Sequence, residues 1–257
     1  MHVKQLFNLE DKIAIVTGGS MGIGKQLAVG LAEAGANVVI TARKIERCEE
    51  AACEIEKIGV KSLPIGCDVA EIDQVDKLIQ IVLKEFGKID ILVNNAGITW
   101  GAPAEDFTLE DWNKVINTNL TGTFLCSQRV GREMIKQNRG KIINISSVAG
   151  FIGCKPELMD ALPYNTSKGA IITFTKDLAV KWIRYNINVN AIAPGFFITH
   201  MSEKHLERVG EEMLSAVSIG RFGNDYDLKG AIVFLSSQAS DYCVGHVLVV
   251  DGGWLCW

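Results

Sequence analysis

Short apolar runs and longer amphipathic stretches alternate along this chain. Lys12–Val16 predicts a buried strand, followed by a glycine turn and a helix to about Ala34. Asn37–Thr41 predicts a second strand, Ile45–Ile58 a helix, Val60–Cys67 a third strand, Asp73–Phe86 a helix and Ile89–Val93 a fourth strand. The second half continues with a long helix over Leu109–Gln137, a strand at Lys141–Ile145 and a helix over Tyr164–Tyr185. A strand at Ile187–Ala193, a helix over Asp225–Ser237 and a last strand at Val247–Val250 complete the pattern. Continuous apolar strands separated by helices mean a parallel sheet covered on both faces, an α/β fold. No linker, repeat or low-complexity segment interrupts residues 1–257, so a single domain is expected. Residues 148–163 and 194–224 are long, irregular and follow strands. Ligands in open α/β sheets sit at that end of the strands.

Composition narrows the partners. The chain has 257 residues, a net charge of −4, 48% hydrophobic residues and 22% charged ones. That is a normal soluble globular balance, and it argues against nucleic acid, which wants a basic face. No apolar run approaches the roughly 18 residues of a membrane helix. Residues 1–10 lack the apolar core of a signal peptide. Seven cysteines form no CxxC pair, so reduced thiols in the cytoplasm are expected. His200 and His205, five apart, are a weak metal spacing, and no metal is expected.

The chemistry concentrates in three places. Tyr164 and Lys168 lie four apart, one turn along a helical face. Ser147, after the fifth strand, precedes Tyr164 by seventeen residues. A phenol, a hydroxyl and an ammonium suit proton transfer to a carbonyl oxygen, with the lysine charge lowering the tyrosine pKa. At the other end, Thr17-Gly18-Gly-Ser20-Met21-Gly22-Ile23-Gly24 follows the first strand and opens the first helix. That context fits dinucleotide binding, with phosphates at a helix N-terminus. After the second strand, Thr41-Ala42-Arg43-Lys44 offers no acid for a ribose hydroxyl. Arg43 and Lys44 instead suit a 2′-phosphate, which favours NADP(H) over NAD(H). Asp68 and Val69 follow the third strand, where Asp68 either meets the adenine or caps the next helix. Asn94-Asn95-Ala96-Gly97 follows the fourth strand and lets backbone pass under an adenosine, or is a plain turn.

Together, TGxxxGxG, Asp68, NNAG, Ser147, YxxxK and Pro194-Gly195 resemble the short-chain dehydrogenase/reductase family over essentially the whole length. The resemblance implies a doubly wound, Rossmann-type seven-stranded sheet, a homotetramer, and hydride transfer between NAD(P)(H) and a ketone/alcohol pair. By position, Tyr164 resembles the acid/base and Lys168 the ribose-binding lysine that depresses its pKa. Ser147, just before Val148-Ala-Gly150, resembles the substrate-oxygen ligand. Asn119 resembles the helix asparagine behind a water relay. Pro194, Gly195 and Thr199 match the segment that holds the nicotinamide carboxamide.

Within the family the chain resembles 3-oxoacyl thioester reductases and gluconate 5-dehydrogenase-like enzymes of polyols and sugar acids. Gly140–Asn144 and Asp251–Trp254 lean toward the second. The loop Ile98–Pro103, however, has no basic residue for a sugar-acid carboxylate. The connection from Ser147 to Tyr164 is longer than the family norm and resembles 3-oxoacyl reductases of the rhamnolipid type. Trp100, Met159 and Phe197 are candidate substrate contacts, in an apolar wall with Leu158, Phe196, Met201 and Met213. The segment Thr199–Gly220 is amphipathic and bounded by glycines, a lid within 194–224. Trp254 and Trp257 suggest packing at a subunit interface. A nucleotide-sensing regulator without chemistry, and a related lyase or epimerase, are the competing classes.

Overall fold

A computed structural model describes residues 2–199 and 210–256. Met201, His200, His205, Trp257 and the middle of the expected lid lie outside the described residues. A seven-stranded parallel sheet forms in the order β3-β2-β1-β4-β5-β6-β7. The strands are β1 (Ile13–Thr17), β2 (Asn37–Ala42), β3 (Ser62–Gly66), β4 (Ile91–Asn94), β5 (Gly140–Ile145), β6 (Ile187–Pro194) and β7 (Val247–Val250). The order reverses between β1 and β4, and a crevice opens there at the strands' carboxyl ends.

The helices are α1 (Val3–Leu6), α2 (Gly22–Glu33), α3 (Ile45–Glu56), α4 (Ile72–Phe86), α5 (Leu109–Ile116), α6 (Gly122–Gln137), α7 (Leu162–Trp182) and α8 (Lys229–Ser236). Helix α4 shows why such segments fold as they do. Val75, Leu78, Ile79 and Val82 make one buried stripe, and Gly87 ends the helix at φ 73°. One face of the sheet buries Val16, Ile40, Val93, Ile143 and Ile192 with α2, α3 and α8. The other buries Ile15, Val39, Leu92, Ile142 and Val189 with α4 and α6.

Three differences from the sequence expectation matter. The single long helix over Leu109–Gln137 is interrupted by a π-helical segment, Asn117–Thr121, with Asn119 fully buried inside it. Hydrophobic period alone does not register this bulge, because both flanks keep helical spacing. Gly122 then lets α6 begin against β3's following loop, where a Cβ would stand 2.6 Å from Val69 Cγ2. Helix α8 starts only at Lys229, and residues 210–215 are helical within the stretch expected to be irregular.

A polar thread crosses the core. The Asn94 amide donates to Ser127 Oγ and to Asn144 Oδ1, and the Asn144 amide donates to Thr175 Oγ1. It fixes β4 and β5 against α6 and α7. The three bonds are directional and so hold relative positions more strictly than apolar contacts do, although Asn94 Oδ1 is buried without a partner among the described residues.

Candidate active site

The turn after β1 closes on itself. Gly18 and Gly22 sit at φ 63° and 53°, where side chains are strained. Gly24 lies so near the turn that a Cβ would meet Gly18 O at 2.2 Å and Asn95 Nδ2 at 2.4 Å. Asn95 donates from Nδ2 to Thr17 O and Gly18 O, and Thr17 Oγ1 accepts from the Asn95 and Ala96 N–H groups. The NNAG segment is therefore the turn's brace. Helix α2 begins here without a side-chain cap on Met21, which leaves its first N–H groups and positive end for an anion.

From this turn a cleft of about 440 Å³ runs across the carboxyl ends of the strands. Gly18, Ser20, Met21, Gly22, Ile23 and Gly24 line one end, with Arg43, Lys44, Asp68, Val69, Asn95, Ala96 and Gly97 around them. Ser147, Tyr164, Lys168, Pro194, Gly195 and Thr199 line the rest. Every residue assigned to a cofactor from sequence lies on this one surface. The glycine cradle that any Cβ would fill, the uncapped helix end and the cations after β2 fit a phosphorylated dinucleotide. Among the described residues Arg43, Lys44 and Arg47 have no carboxylate partner in any ion pair. Arg47 was missing from the sequence reading. It lies in the first turn of α3, lines the same cleft, and its Nη1 donates to Met21 Sδ at 3.4 Å. Asp68 Oδ1 accepts from Ala70 N–H at 3.0 Å in a local turn, while α4 starts later at Ile72.

At the other end, α7 delivers Tyr164 and Lys168 beside Ser147. Lys168 is buried, and its Nζ donates to Ile145 O at 2.7 Å and lies 5.5 Å from the centre of the Tyr164 ring. Burial lowers its pKa to about 8. Burial also raises the Tyr164 phenol above its ordinary range, and the side-chain hydrogen bond with Ser147 pulls it back. The sequence argument has the lysine charge lowering the phenol's pKa; in the structure desolvation raises it, and the lowering comes from Ser147. Ser146 is distinguished from Ser147 by its bond: Ser146 Oγ donates to Lys168 O at 2.8 Å, bracing α7. Ser147 Oγ accepts from Ala149 N–H at 3.2 Å, and its side chain is hydrogen-bonded with Tyr164.

Asn119 lies behind this group, outside the cleft lining. Its Oδ1 accepts from Ile98 N–H, and its Nδ2 donates to Ile98 O and to Ser167 Oγ. Ser167 Oγ in turn donates to Tyr164 O at 2.7 Å. The side chain ties the loop after β4 to the turn of α7 that carries the tyrosine. The main-chain oxygen of Asn119 accepts from Thr123 Oγ1.

The substrate candidates fare differently. Trp100 is 48% exposed on the rim, with Lys114 Nζ 5.6 Å over its ring, and does not line the cleft. A basic residue thus reaches the loop Ile98–Pro103 from α5, which the loop's own sequence does not show. Met159 lies in a turn bonded to Lys155, away from the cleft lining. Phe197 is corrected from a substrate contact to a core residue. It is 5% exposed, packs against Gly223, and lines a separate hollow of about 180 Å³ beyond β6. Side-chain direction after a strand alternates, and Phe197 falls on the inward side. Leu158, Phe196 and buried Met213 are also off the cleft.

Residues 12–210 match the family model described as short chain dehydrogenase. The chain is 41% identical over 252 residues to 2-dehydro-3-deoxy-D-gluconate 5-dehydrogenase of Dickeya dadantii, covering 97% of each chain. It is 39% identical to a 3-oxoacyl-(acyl-carrier-protein) reductase of Staphylococcus aureus, covering 94% of this chain and 97% of that one. A gluconate 5-dehydrogenase of Burkholderia cenocepacia, solved with NADP and tartrate, superposes with a TM-score of 0.94 at 38% identity over the full length of both. With the phosphate turn, the Ser147–Tyr164–Lys168 group and the sheet order all in place, the chain belongs to the short-chain dehydrogenase family.

Proposed function

We propose that the protein is an NADP(H)-dependent oxidoreductase that interconverts a ketone and a secondary alcohol. The observation that carries this is the convergence of Ser147, Tyr164 and Lys168 on the cleft that begins at the glycine turn. NADP(H) supplies or accepts the hydride. Arg43, Lys44 and Arg47 hold its 2′-phosphate, the Gly18–Gly24 turn and α2 its pyrophosphate, and Pro194, Gly195 and Thr199 its nicotinamide end. In reduction, Tyr164 donates its proton to the ketone oxygen, and Ser147 stabilises the developing oxyanion with a second hydrogen bond. A phenol held high by burial is a protonated donor at neutral pH. Lys168, with a pKa of about 8, is charged there and favours the tyrosinate left behind. Asn119 positions Tyr164 through Ser167.

A relative named for gluconate chemistry and one named for 3-oxoacyl chemistry support two substrate classes, a sugar acid and an acyl thioester. Lys114 above Trp100 favours the first, since it provides the cation at the rim that the loop itself lacks. Residues 1–257 act as one catalytic domain. Seven free cysteines support a reducing, cytoplasmic setting. Leu109, Phe124 and Val180, exposed on α5, α6 and α7, support a homotetramer.

The test is NADPH oxidation against 5-ketogluconate, an acetoacetyl thioester and aryl ketones. Tyr164→Phe should lower kcat by roughly 100-fold to 10,000-fold, the usual range for a lost general acid, with NADPH binding retained. Near-normal turnover in that variant would reject the assignment.

A further inference from the structure

Residues 250–255 form a small built unit against the nicotinamide end of the cleft. Gly195 N–H donates to Val250 O at 2.9 Å, and a Cβ on Gly195 would stand 2.7 Å from Asp251 Cα. The two backbones touch with no room between them. The chain then turns through Gly252 and Gly253 at φ 65° and 86°, which favours glycine at both positions. Asp251 locks that turn, its Oδ1 accepting from Gly253 N–H and its Oδ2 from Leu255 N–H. The turn places Trp254 edge-on to Phe196, with ring centres 4.6 Å apart and planes at 69°. Ile219 N–H donates to Gly252 O, and Ser218 Oγ donates to Gly253 O. One turn therefore grips the segment that follows β6 and the segment of residues 217–220.

Pro194, Gly195 and Thr199 line the cleft, and Phe196 lies between them in sequence. Phe196 does not line the cleft, so its ring faces the turn rather than the ligand surface. We propose that Trp254 is a positioning residue for the nicotinamide half of the cofactor, acting through Phe196 on Pro194, Gly195 and Thr199. The proposal rests on the dinucleotide reading above and goes beyond it, since Trp254 touches no part of the cleft. It stands beside the sequence expectation that this end packs at a subunit interface, and adds an aromatic partner within the same chain.

The two halves of the cofactor separate this role from general stability. The full-length protein and its Trp254→Ala and Trp254→Phe variants are titrated calorimetrically with NADP⁺ and with 2′,5′-ADP, which carries only the adenosine half. In Trp254→Ala, NADP⁺ affinity should fall about fivefold to tenfold, the scale of a lost edge-to-face pair, while 2′,5′-ADP affinity stays within about twofold. Trp254→Phe should restore most of the NADP⁺ affinity, because it keeps an aromatic edge for Phe196. Equal weakening of both ligands, or unchanged NADP⁺ affinity, overturns the proposal. If Trp254→Ala does not fold, Phe196→Leu is read by the same pair of titrations and the same criteria. Failure of the wild-type protein to bind either ligand overturns the dinucleotide reading itself and this inference with it.

Discussion

The two ends of the cleft are built in different ways. At the phosphate end the surface is main chain: Gly18, Gly22 and Gly24 leave no side chain in the way, and Thr17 and Asn95 hold the turn from behind. At the substrate end the rim is assembled from separate loops. Residues 98–103 and the stretch after Ser147 meet through one backbone bond among the described residues, Ala102 N–H to Asp160 O at 3.1 Å. A ligand bound by backbone geometry leaves a strict sequence record, because only glycine fits. A ligand bound by loop side chains leaves almost none, since many residues suit each position and direction depends on the fold.

The sharpest way to break this contrast is a pair of glycine substitutions. Gly24→Ala forces a Cβ to 2.2 Å from Gly18 O, whereas a Cβ at Gly153 meets nothing within 4 Å. Gly24→Ala should cost about 3 kcal/mol or more of stability, at the upper end for overpacking, and weaken NADP⁺ binding beyond measurement. Gly153→Ala should leave both the melting temperature and NADP⁺ affinity unchanged. Similar losses in the two variants, seen by thermal melts and titration calorimetry, would mean that the rim is as tightly built as the turn.

Arg43→Asp tests the charge at the same end. It removes a charge-assisted hydrogen bond to a 2′-phosphate, worth roughly 1.5–3 kcal/mol, and sets a like charge there instead. The ratio of kcat/KM for NADPH over NADH should fall on the order of 100-fold. Arg47→Leu should produce a smaller fall in the same direction. An unchanged ratio in Arg43→Asp would detach the cation cluster from cofactor choice.

The same contrast explains what was legible in the sequence. All seven strands were readable, because each is a short apolar run bounded by turn residues. So was the set Ser147, Tyr164 and Lys168, whose order along the chain and Tyr-to-Lys spacing stay recognisable although the Ser147–Tyr164 connection is lengthened. The π-helical bulge at Asn119 was not: five residues of altered bonding inside two good helices change no hydrophobic period. Phe197 was misplaced because apolarity near a strand end does not say which way the ring points. Lys114 was missed because it reaches Trp100 from another element, a contact that only the packing of α5 creates.

Lys168 carries strain that the reaction group imposes on the folded state. Its folded pKa of about 8 lies below the ordinary 10.5, so burial penalises its charged form. The penalty is fully present below pH 8. Between about 8 and 10.5 the folded state binds fewer protons than the unfolded one, and stability rises with pH. Lys168→Met removes the charge but leaves Ile145 O without its partner. The net gain at pH 7 should be about 1–2 kcal/mol, several degrees in melting temperature, with activity lost. The gain should shrink as pH approaches 10. A variant less stable than wild type at pH 7 would show that the Ile145 bond outweighs the burial of the charge.

Trp100→Leu probes the loosely built end, where the smallest effect is expected. The ring is 48% exposed, and the Lys114 ammonium sits 5.6 Å over it. An exposed cation–π pair of this kind is worth about 0.5–1 kcal/mol, and surface substitutions usually fall within about 0.5 kcal/mol. The melting temperature should hold within about 2 °C, and kcat/KM for a small neutral ketone should change by less than about threefold. The loop can afford the change because Ala102 and Asp160, not the indole, tie it to its neighbour. A tenfold or larger loss confined to bulky aryl ketones would bring Trp100 from the rim into the pocket wall. The substrate end would then be shaped by one rigid aromatic side chain, and the contrast with the glycine-built end would narrow to a difference of chemistry rather than of order.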